Sequence, residues 1–340
     1  MKIAVYLGGT SMERDVSLTS GKNIGEALAS LGHDILYVDP AFPPEYITSS
    51  LDGNIDVDVE PPTLEEVREL HHEHIFRLLL DERIATCDFH FIGLHGGIGE
   101  NGLLQGMFEH LGYHFNGPGF SASAVAMDKH LSKQVMLAQK IPTPTWTMIR
   151  QNRWRKESEK ILAAVQNKYT LPVVIKPNSQ GSTIGLTVLQ TYDELQMAIE
   201  KAFRYDDRIL VEEYIAGREI TAAILNGTPL PLVEIKPKHG IYDYECKYKK
   251  GMSEYEAPAQ ILDSLREKIQ SHAFTLYQSI EAKGYSRIDF RLSGEGLPYC
   301  LEMNTLPGMT STSLVPMAAR AHGMEFGELL EAIIEYGRES

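Results

Sequence analysis

The chain has 340 residues, 43% hydrophobic and 23% charged, a balance of soluble globular enzymes with room for two or three domains. Its formal net charge of −14 argues against a nucleic-acid or anionic-membrane partner, so any phosphate site must use local lysines and backbone amides. The three cysteines, Cys87, Cys246 and Cys300, are far apart and lack metal-ligand spacing, which predicts buried thiols in a reducing compartment. With no signal-peptide core after Lys2 and no apolar run of membrane-spanning length, the expected location is the cytoplasm.

Lys2–Leu7 reads as a strand ending in Gly8-Gly9-Thr10-Ser11. A helix over Val16–Leu31, closed by Gly32, and a strand over His33–Val38 follow. That βαβ opening predicts a parallel sheet. Residues 40–62, rich in Pro, Asp and Gly, carry no chemistry. Thr63-Leu-Glu-Glu66 is a capping box opening a helix whose apolar stripe is Leu64, Val67, Leu70, Ile75, Leu78 and Leu79. His71, His72 and His74 on it lack metal-site spacing and read as a solvated face. Cys87–Leu94 is a strand, and its exit loop runs from His95 to Gly102. Gly97, Gly99 and Gly102 match G-x-G-x-x-G, but after a later strand and without the acidic residue a dinucleotide site needs. Those glycines are better read as letting a substrate approach the backbone. His95 is either a satisfied loop histidine or a substrate contact.

Asn116–Gly119 punctuates a domain boundary. A helix over Ala122–Lys140 carries Asp128 and Lys129. The strand Leu171–Lys176 then leads into a Gly/Ser/Thr loop through Gly181, Ser182 and Gly185, and a second strand follows. A lysine beside such a loop suits a flexible phosphate cover rather than a P-loop, although a snorkelling surface lysine is the plain alternative. Ile209–Ile215 is an apolar strand with acids at its exit. Glu212, Glu213 and Glu219 with Tyr214 and Ile215 could hold a purine and a ribose, or the acids could face solvent. Tyr242–Gly251 is a polar, aromatic loop of lid length. A helix spans Ser264–Lys283, and the chain closes with an amphipathic helix over Glu325–Tyr336.

Between those helices, Arg287–Asn304 alternates polar and apolar residues on both sides of Ser293-Gly294-Glu295-Gly296, the composition of a hairpin turn. With the turn centred between Glu295 and Gly296, Asp289 falls opposite Glu302 and Arg287 opposite Asn304, all on one face. Two opposed carboxylates repel by about 4 kcal/mol at ~4 Å and an effective dielectric near 20, so one is protonated or a cation lies between them. Asn304 adds a third hard oxygen, a set suited to Mg²⁺ or Mn²⁺, while a solvated charged hairpin face is the bland alternative. The loop Thr305–Leu314, which includes Gly308 and leads towards an apolar helix, offers backbone N–H groups and hydroxyls to an anion.

Taken in succession, these motifs resemble the D-alanine–D-alanine ligase family of the ATP-grasp superfamily over nearly the whole chain. The matching stretches are Gly8–Ser17 with Ser20-Gly21, His95–Gly102, Met127-Asp-Lys129, Lys176-Pro through Ser182, Tyr242–Tyr248, Arg287-Ile-Asp289 and Glu302–Leu314. Residues 40–86 match no family motif. The resemblance implies an α/β fold in which a parallel βαβ domain (1–118) precedes two α+β domains (119–212 and 213–340) that clamp ATP. It implies that one D-alanine is activated by ATP as an acyl phosphate and that the amine of a second attacks it.

By the same resemblance, Asp289, Glu302 and Asn304 hold two Mg²⁺ or Mn²⁺ ions, and Lys129, Lys176 and Lys247 meet phosphate. Glu212 and Glu219 hold the adenine amino group and the ribose, with Glu213, Tyr214 and Ile215 at the adenine edge. Glu13 pairs with the first ammonium near His95. Arg287 and Gly308 form the oxyanion pocket, and Ser313 with Leu314 takes the second carboxylate. Glu13, Ser182 and Tyr248 form a triad that closes the lid, and Tyr248 favours an amine over a hydroxy acid. A homodimer through the N-terminal domain is the implied assembly. The competing readings are an ATP-grasp ligase joining another D-amino or D-hydroxy acid, and a nicotinamide or ATP-binding protein without ligase chemistry.

Overall fold

β1 (Lys2–Tyr6) runs between β2 (Asp34–Val38) and β3 (Phe89–Ile92), all three parallel. The structure, a computed structural model, describes residues 1–51, 61–238, 246, 247, 249 and 251–339. The helix Arg14–Ser30 links β1 to β2 and lies tight on the sheet: a Cβ at Gly21 would fall 2.3 Å from the Leu7 Cβ, so only glycine allows that approach.

A second, antiparallel sheet has the order β4-β7-β5-β6, from β4 (Trp146–Arg150), β5 (Val173–Pro177), β6 (Thr187–Leu189) and β7 (Arg208–Glu213). The third, also antiparallel, comprises β8 (Gly217–Leu225), the two-residue β9 (Thr228–Pro229), β10 (Val233–Pro237), β11 (Ser253–Glu256), β12 (Tyr285–Ser293) and β13 (Pro298–Asn304). Its order is β11-β10-β8-β12-β13, with β9 paired to β8. Mixed α/β architecture with a parallel N-terminal sheet is as expected. The C-terminal helices Leu314–Ala321 and Phe326–Glu339 return to the first sheet and share its core through Val315, Leu329, Leu330 and Ile333. The last residues of the chain thereby brace the first.

Two predicted helices divide. The capping box at Thr63 forms, with Glu66 N–H donating to Thr63 Oγ1 and Thr63 N–H to Glu66 Oε2, but its helix stops at Arg68. A separate helix, His74–Leu79, buries Ile75, Leu78 and Leu79, whereas Leu64, Val67 and Leu70 stay half-exposed. Without packing on its apolar side a five-residue helix has little to extend it. The helix expected over Ala122–Lys140 breaks at Asp128 into Phe120–Met127 and Lys129–Ala138. Asp128 serves as the N-cap of the second, its carboxylate accepting the Leu131 N–H at 3.0 Å. The break puts Lys129 in the first turn. Both helices share a core with the third sheet through Ala122, Ala126 and Met136.

The hairpin pairs Arg287 with Asn304 and Asp289 with Glu302, the expected register, by a different route. The Ser293 N–H donates to the Leu297 carbonyl, so the turn is centred on Glu295, with Gly296 at φ +76°. Uninterrupted pairing from that turn would oppose Asp289 to Leu301. Instead Phe290 pairs with Cys300 and Asp289 with Glu302, leaving Leu301 as an unpaired bulge. The extra residue brings both carboxylates onto one face, as bulges beside active sites do.

Candidate active site

The face of the third sheet that carries the hairpin acids is ordered by register. Thr221 of β8 stands beside Asp289, and Glu219 beside Arg291. Asp289 Oδ1 accepts from the Thr221 hydroxyl at 2.7 Å and from Arg287 Nε at 2.9 Å. Its Oδ2 accepts from Arg287 Nη2 at 2.9 Å and Asn304 Nδ2 at 3.0 Å. Glu302 Oε2 lies 3.2 Å from Lys129 Nζ. The expectation that two facing acids need a proton or a cation beside them is met first by the protein's own cations, Arg287 at Asp289 and Lys129 at Glu302. Burial works to raise the Glu302 pKa, but Lys129, Lys176 and Lys247 outweigh it and bring it down to about 2. Glu219 goes the other way, raised by burial that Arg291, 3.2 Å away, only partly offsets.

A lysine-rich corner lies next to this face. Lys176 Nζ on β5 is 2.9 Å from Glu212 Oε2 on β7, and the fully buried Lys133 is 3.1 Å from Glu212 Oε1. Glu212, 2% exposed, is thus no solvent-facing acid. Glu213 is exposed and accepts from the Thr145 hydroxyl at 3.0 Å, while its N–H is taken by the Thr145 carbonyl. The Ile215 carbonyl accepts Arg291 Nε at 3.1 Å, and the same guanidinium stands 5.8 Å from the Tyr214 ring centroid. Lys129 donates to the Gln180 carbonyl at 2.7 Å, tying the helix to the glycine-rich loop. Within that loop Ser182 and Thr183 adopt φ of +46° and +60°, conformations a side chain resists and functional loops retain.

From the opposite side comes Glu13, buried at the start of the helix Arg14–Ser30, where its carboxylate accepts the Ser182 hydroxyl. A Cβ on Gly181 would stand 2.4 Å from Glu13 Oε2, and one on Gly96 2.7 Å away, so two glycines make room for this contact. His95 is 5% exposed, its Nδ1 2.8 Å from the Leu306 carbonyl and its Nε2 2.7 Å from the Ser20 hydroxyl. Burial lowers its pKa, so it is a neutral strut with both nitrogens used. Ser313, preceding the helix Leu314–Ala321, accepts the Thr310 N–H at 3.0 Å.

Of the residues expected in the site, Glu13, His95, Ser182, Lys247, Arg287, Asn304, Gly308, Ser313 and Leu314 line a cavity of about 250 Å³, whereas Asp289, Glu302, Lys129, Lys176, Glu212 and Glu219 are not part of its lining. Nine residues that sequence spacing scatters over three hundred positions so face one space. Tyr248, with Tyr242–Glu245 of the proposed lid, lies outside the described residues.

Comparison with known proteins agrees with this arrangement. A family described as D-ala D-ala ligase N-terminus matches residues 2–118, and one described as D-ala D-ala ligase C-terminus matches residues 135–335. A D-alanine–D-alanine ligase of Halalkalibacterium halodurans is 40% identical over 339 residues, covering 98% of each chain. One of Syntrophotalea carbinolica is 37% identical, covering 98% of this chain and 95% of its own. The chain belongs to the D-alanine–D-alanine ligase family. Among solved structures, the Bacillus anthracis D-alanine–D-alanine ligase complexed with ATP superposes with a TM-score of 0.76 at 29% identity, covering 100% of this chain and 98% of the other. The VanG D-Ala:D-Ser ligase of Enterococcus faecalis also gives 0.76, at 27% identity and 99% coverage of both.

For a ligase of this family the donor set fits a hard divalent cation. Asp289 and Glu302 are opposed carboxylates, and Asn304 spends its amide nitrogen on Asp289, keeping the oxygen for a ligand. Among the described residues no cluster of three or more His, Cys, Asp or Glu side chains could hold a metal. The remaining positions on an ion therefore fall to phosphate and water, the usual share for Mg²⁺. Three residues of the ligase site escaped the sequence reading. Arg291 continues the alternation of Arg287 and Asp289 and could have been found by it. Lys133 stands four residues after Lys129, on the same helix face. Glu100, inside the His95–Gly102 motif, accepts the Gly96 N–H at 2.6 Å and the Leu306 N–H at 3.4 Å; burial and the nearby Glu13 raise its pKa to about 8.

Proposed function

We propose that this chain joins two D-alanine molecules at the expense of ATP, through an acyl phosphate, and that the dipeptide feeds peptidoglycan precursor synthesis. The observation that carries the reading is the single cavity onto which Glu13, Arg287, Gly308 and Ser313 all open, next to the lysines and hairpin acids. Asp289, Glu302 and Asn304 would hold Mg²⁺ or Mn²⁺, which when bound neutralises phosphate charge. Lys129, Lys176 and Lys247 orient and screen the phosphates, the main form of help phosphoryl transfer needs. Glu212 accepts from the adenine amino group and Glu219 from the ribose hydroxyls, beside Glu213, Tyr214 and Ile215.

Glu13 pairs with the ammonium of the first D-alanine, and His95 keeps the wall behind it neutral. Arg287 and the Gly308 N–H receive the charge that develops on the carbonyl oxygen when the second amine attacks. Ser313 and the Leu314 N–H, at the positive end of the helix Leu314–Ala321, take the second carboxylate. The attacking amine must lose a proton first, and Tyr248, grouped by the resemblance with Ser182 and Glu13, is the proposed group that orients it. Residues 119–212 act as the ATP lid between the units 1–118 and 213–340. A homodimer through the first unit, working in the cytoplasm where ATP is supplied, completes the proposal; mass measurement in solution tests the assembly.

The deciding experiment incubates the protein with ATP, Mg²⁺ and D-alanine and detects the dipeptide by mass. D-alanyl-D-alanine in step with phosphate release is expected. Preference for D-serine or D-lactate as second substrate would instead make it a ligase of mixed dipeptides or depsipeptides. Tyr248→Phe should slow turnover and weaken the preference for amines over hydroxy acids; a variant unchanged in both respects would remove Tyr248 from the scheme.

A further inference from the structure

Lys133 has no solvent exposure, so it cannot touch a nucleotide, yet it is spent on Glu212. Its Nζ lies 3.1 Å from Glu212 Oε1, donates to the Thr143 hydroxyl at 2.7 Å and stands 5.6 Å from the Trp146 ring centroid. Lys176 holds the other oxygen of the same carboxylate at 2.9 Å. Two ammonium groups on one buried acid is an odd excess, since an uncompensated buried cation is costly. The two lysines differ in what else surrounds them. Lys176 is also drawn by Glu302, on the metal side of the site, whereas Lys133 has the Cys300 thiol and Trp146 behind it. A phosphate that recruits Lys176 leaves Glu212 with Lys133 alone.

An ionised carboxylate only accepts hydrogen bonds, whereas a protonated one also donates. The 6-amino group of adenine donates and the 6-oxo group of guanine accepts. We infer that Lys133 is a positioning residue that keeps Glu212 ionised and fixed as an acceptor, and that this sets a preference for adenine over guanine nucleotides. The inference rests on Glu212 facing the base, as proposed above. The groups facing Glu212 are Lys133 from the helix Lys129–Ala138 and Lys176 from β5, with Glu302 of β13 beyond Lys176.

The test is Lys133→Met, assayed for kcat and KM with ATP and with GTP between about pH 6 and pH 9. The ATP-to-GTP ratio of kcat/KM is expected to fall on the order of 10- to 100-fold, the scale of one hydrogen bond to a charged group. The loss should fall on KM for ATP more than on kcat, and deepen as pH is lowered, because a buried carboxylate stripped of its cation protonates. The wild-type ratio should stay level across the range. A folded Lys133→Met protein with an unchanged, pH-independent ratio overturns the inference. Should that variant lack a cooperative melt, Lys133→Gln, which removes the charge but keeps a polar side chain of similar length, should shift the ratio the same way; no shift there overturns the inference equally. Glu212→Gln separates the two levels: if it too leaves the ratio intact, Glu212 does not read the base and that part of the proposed function fails on its own.

Discussion

Glu302 and Glu100 are both acids at the edge of the same cleft, and they are driven in opposite directions. Glu302, opposed to a second carboxylate, is pulled to about 2, whereas Glu100 is pushed to about 8. Burial raises both. The neighbours decide: Lys129, Lys176 and Lys247 surround Glu302, while Glu100 has Glu13 close by and is met chiefly by backbone N–H groups, with Arg287 a lesser influence. The cleft thus holds a cation-rich half, suited to phosphate and metal, and a half where one carboxyl keeps its proton near neutrality. In that second half Glu13 stands beside a carboxyl, Glu100, that burial and Glu13 itself push towards its neutral form.

The most severe way to break the contrast is to remove the acid of the cation-rich half. Glu302→Gln discards a proposed metal ligand and leaves Lys129 without the carboxylate 3.2 Å away. Ligation measured by ADP release should fall by about 100- to 1,000-fold, the usual loss when a charge-organising group is deleted. Activity within a few-fold of wild type would mean that the hairpin acids are a structural ladder only. A milder change keeps Glu302 and removes the ammonium 3.2 Å away. Lys129→Met should lower kcat by about 10-fold or more, and Glu302 should titrate higher, so that the acid limb of the rate profile moves to higher pH. A profile that scales down without moving would assign Lys129 to phosphate alone. In the other half, Gly181→Ala pushes a methyl group to within 2.4 Å of the present Glu13 Oε2 position. The carboxylate tip can swing away, so stability should change by under ~1 kcal/mol, while KM for D-alanine should rise about 10-fold if the ammonium loses Glu13, its proposed partner.

How far the sequence revealed these two halves follows from distance along the chain. The hairpin acids are 13 positions apart and obey a period of two, so the face they share could be read from alternation alone. Even there the turn lay half a residue away from its expected centre, and the Leu301 bulge, which no periodicity announces, made up the difference. The lysine corner joins Lys133, Lys176 and Glu212 from a helix and two strands, and nothing local to any of them says that they meet. Lys176 stood out by the Gly/Ser/Thr loop after it and Glu212 as an acid at a strand exit. Lys133 carries no such mark and looks in sequence like any surface lysine of an amphipathic helix. Likewise the capping box at Thr63 was legible because it spans four residues. The length of its helix was not, because that depends on what the remainder of the chain offers its apolar side. His95, which the sequence left between strut and substrate contact, spends its two ring nitrogens on Leu306 and Ser20 while still lining the cavity.

The smallest effect, and the most direct check on the contrast, is the pH dependence of stability. A carboxylate raised on folding stabilises the native state fully below its unfolded value near 4.5, and loses that contribution as pH rises through its folded value. For Glu100 the window runs from about 4.5 to about 8. For Glu302, depressed on folding, the contribution is present above about 4.5 and lost as pH falls towards about 2. Glu100→Gln replaces the protonated acid with a neutral group of the same shape. Its amide oxygen still accepts from the Gly96 N–H. The variant should melt within about a degree of wild type near pH 5 and a few degrees above it near pH 9, where the wild-type side chain has been forced to ionise beside Glu13. Differential scanning calorimetry at the two pH values reads this directly. Equal melting temperatures at both would show that Glu100 is already ionised at neutral pH, and the contrast with Glu302 would fall, because burial and Glu13 would then not hold the proton on Glu100.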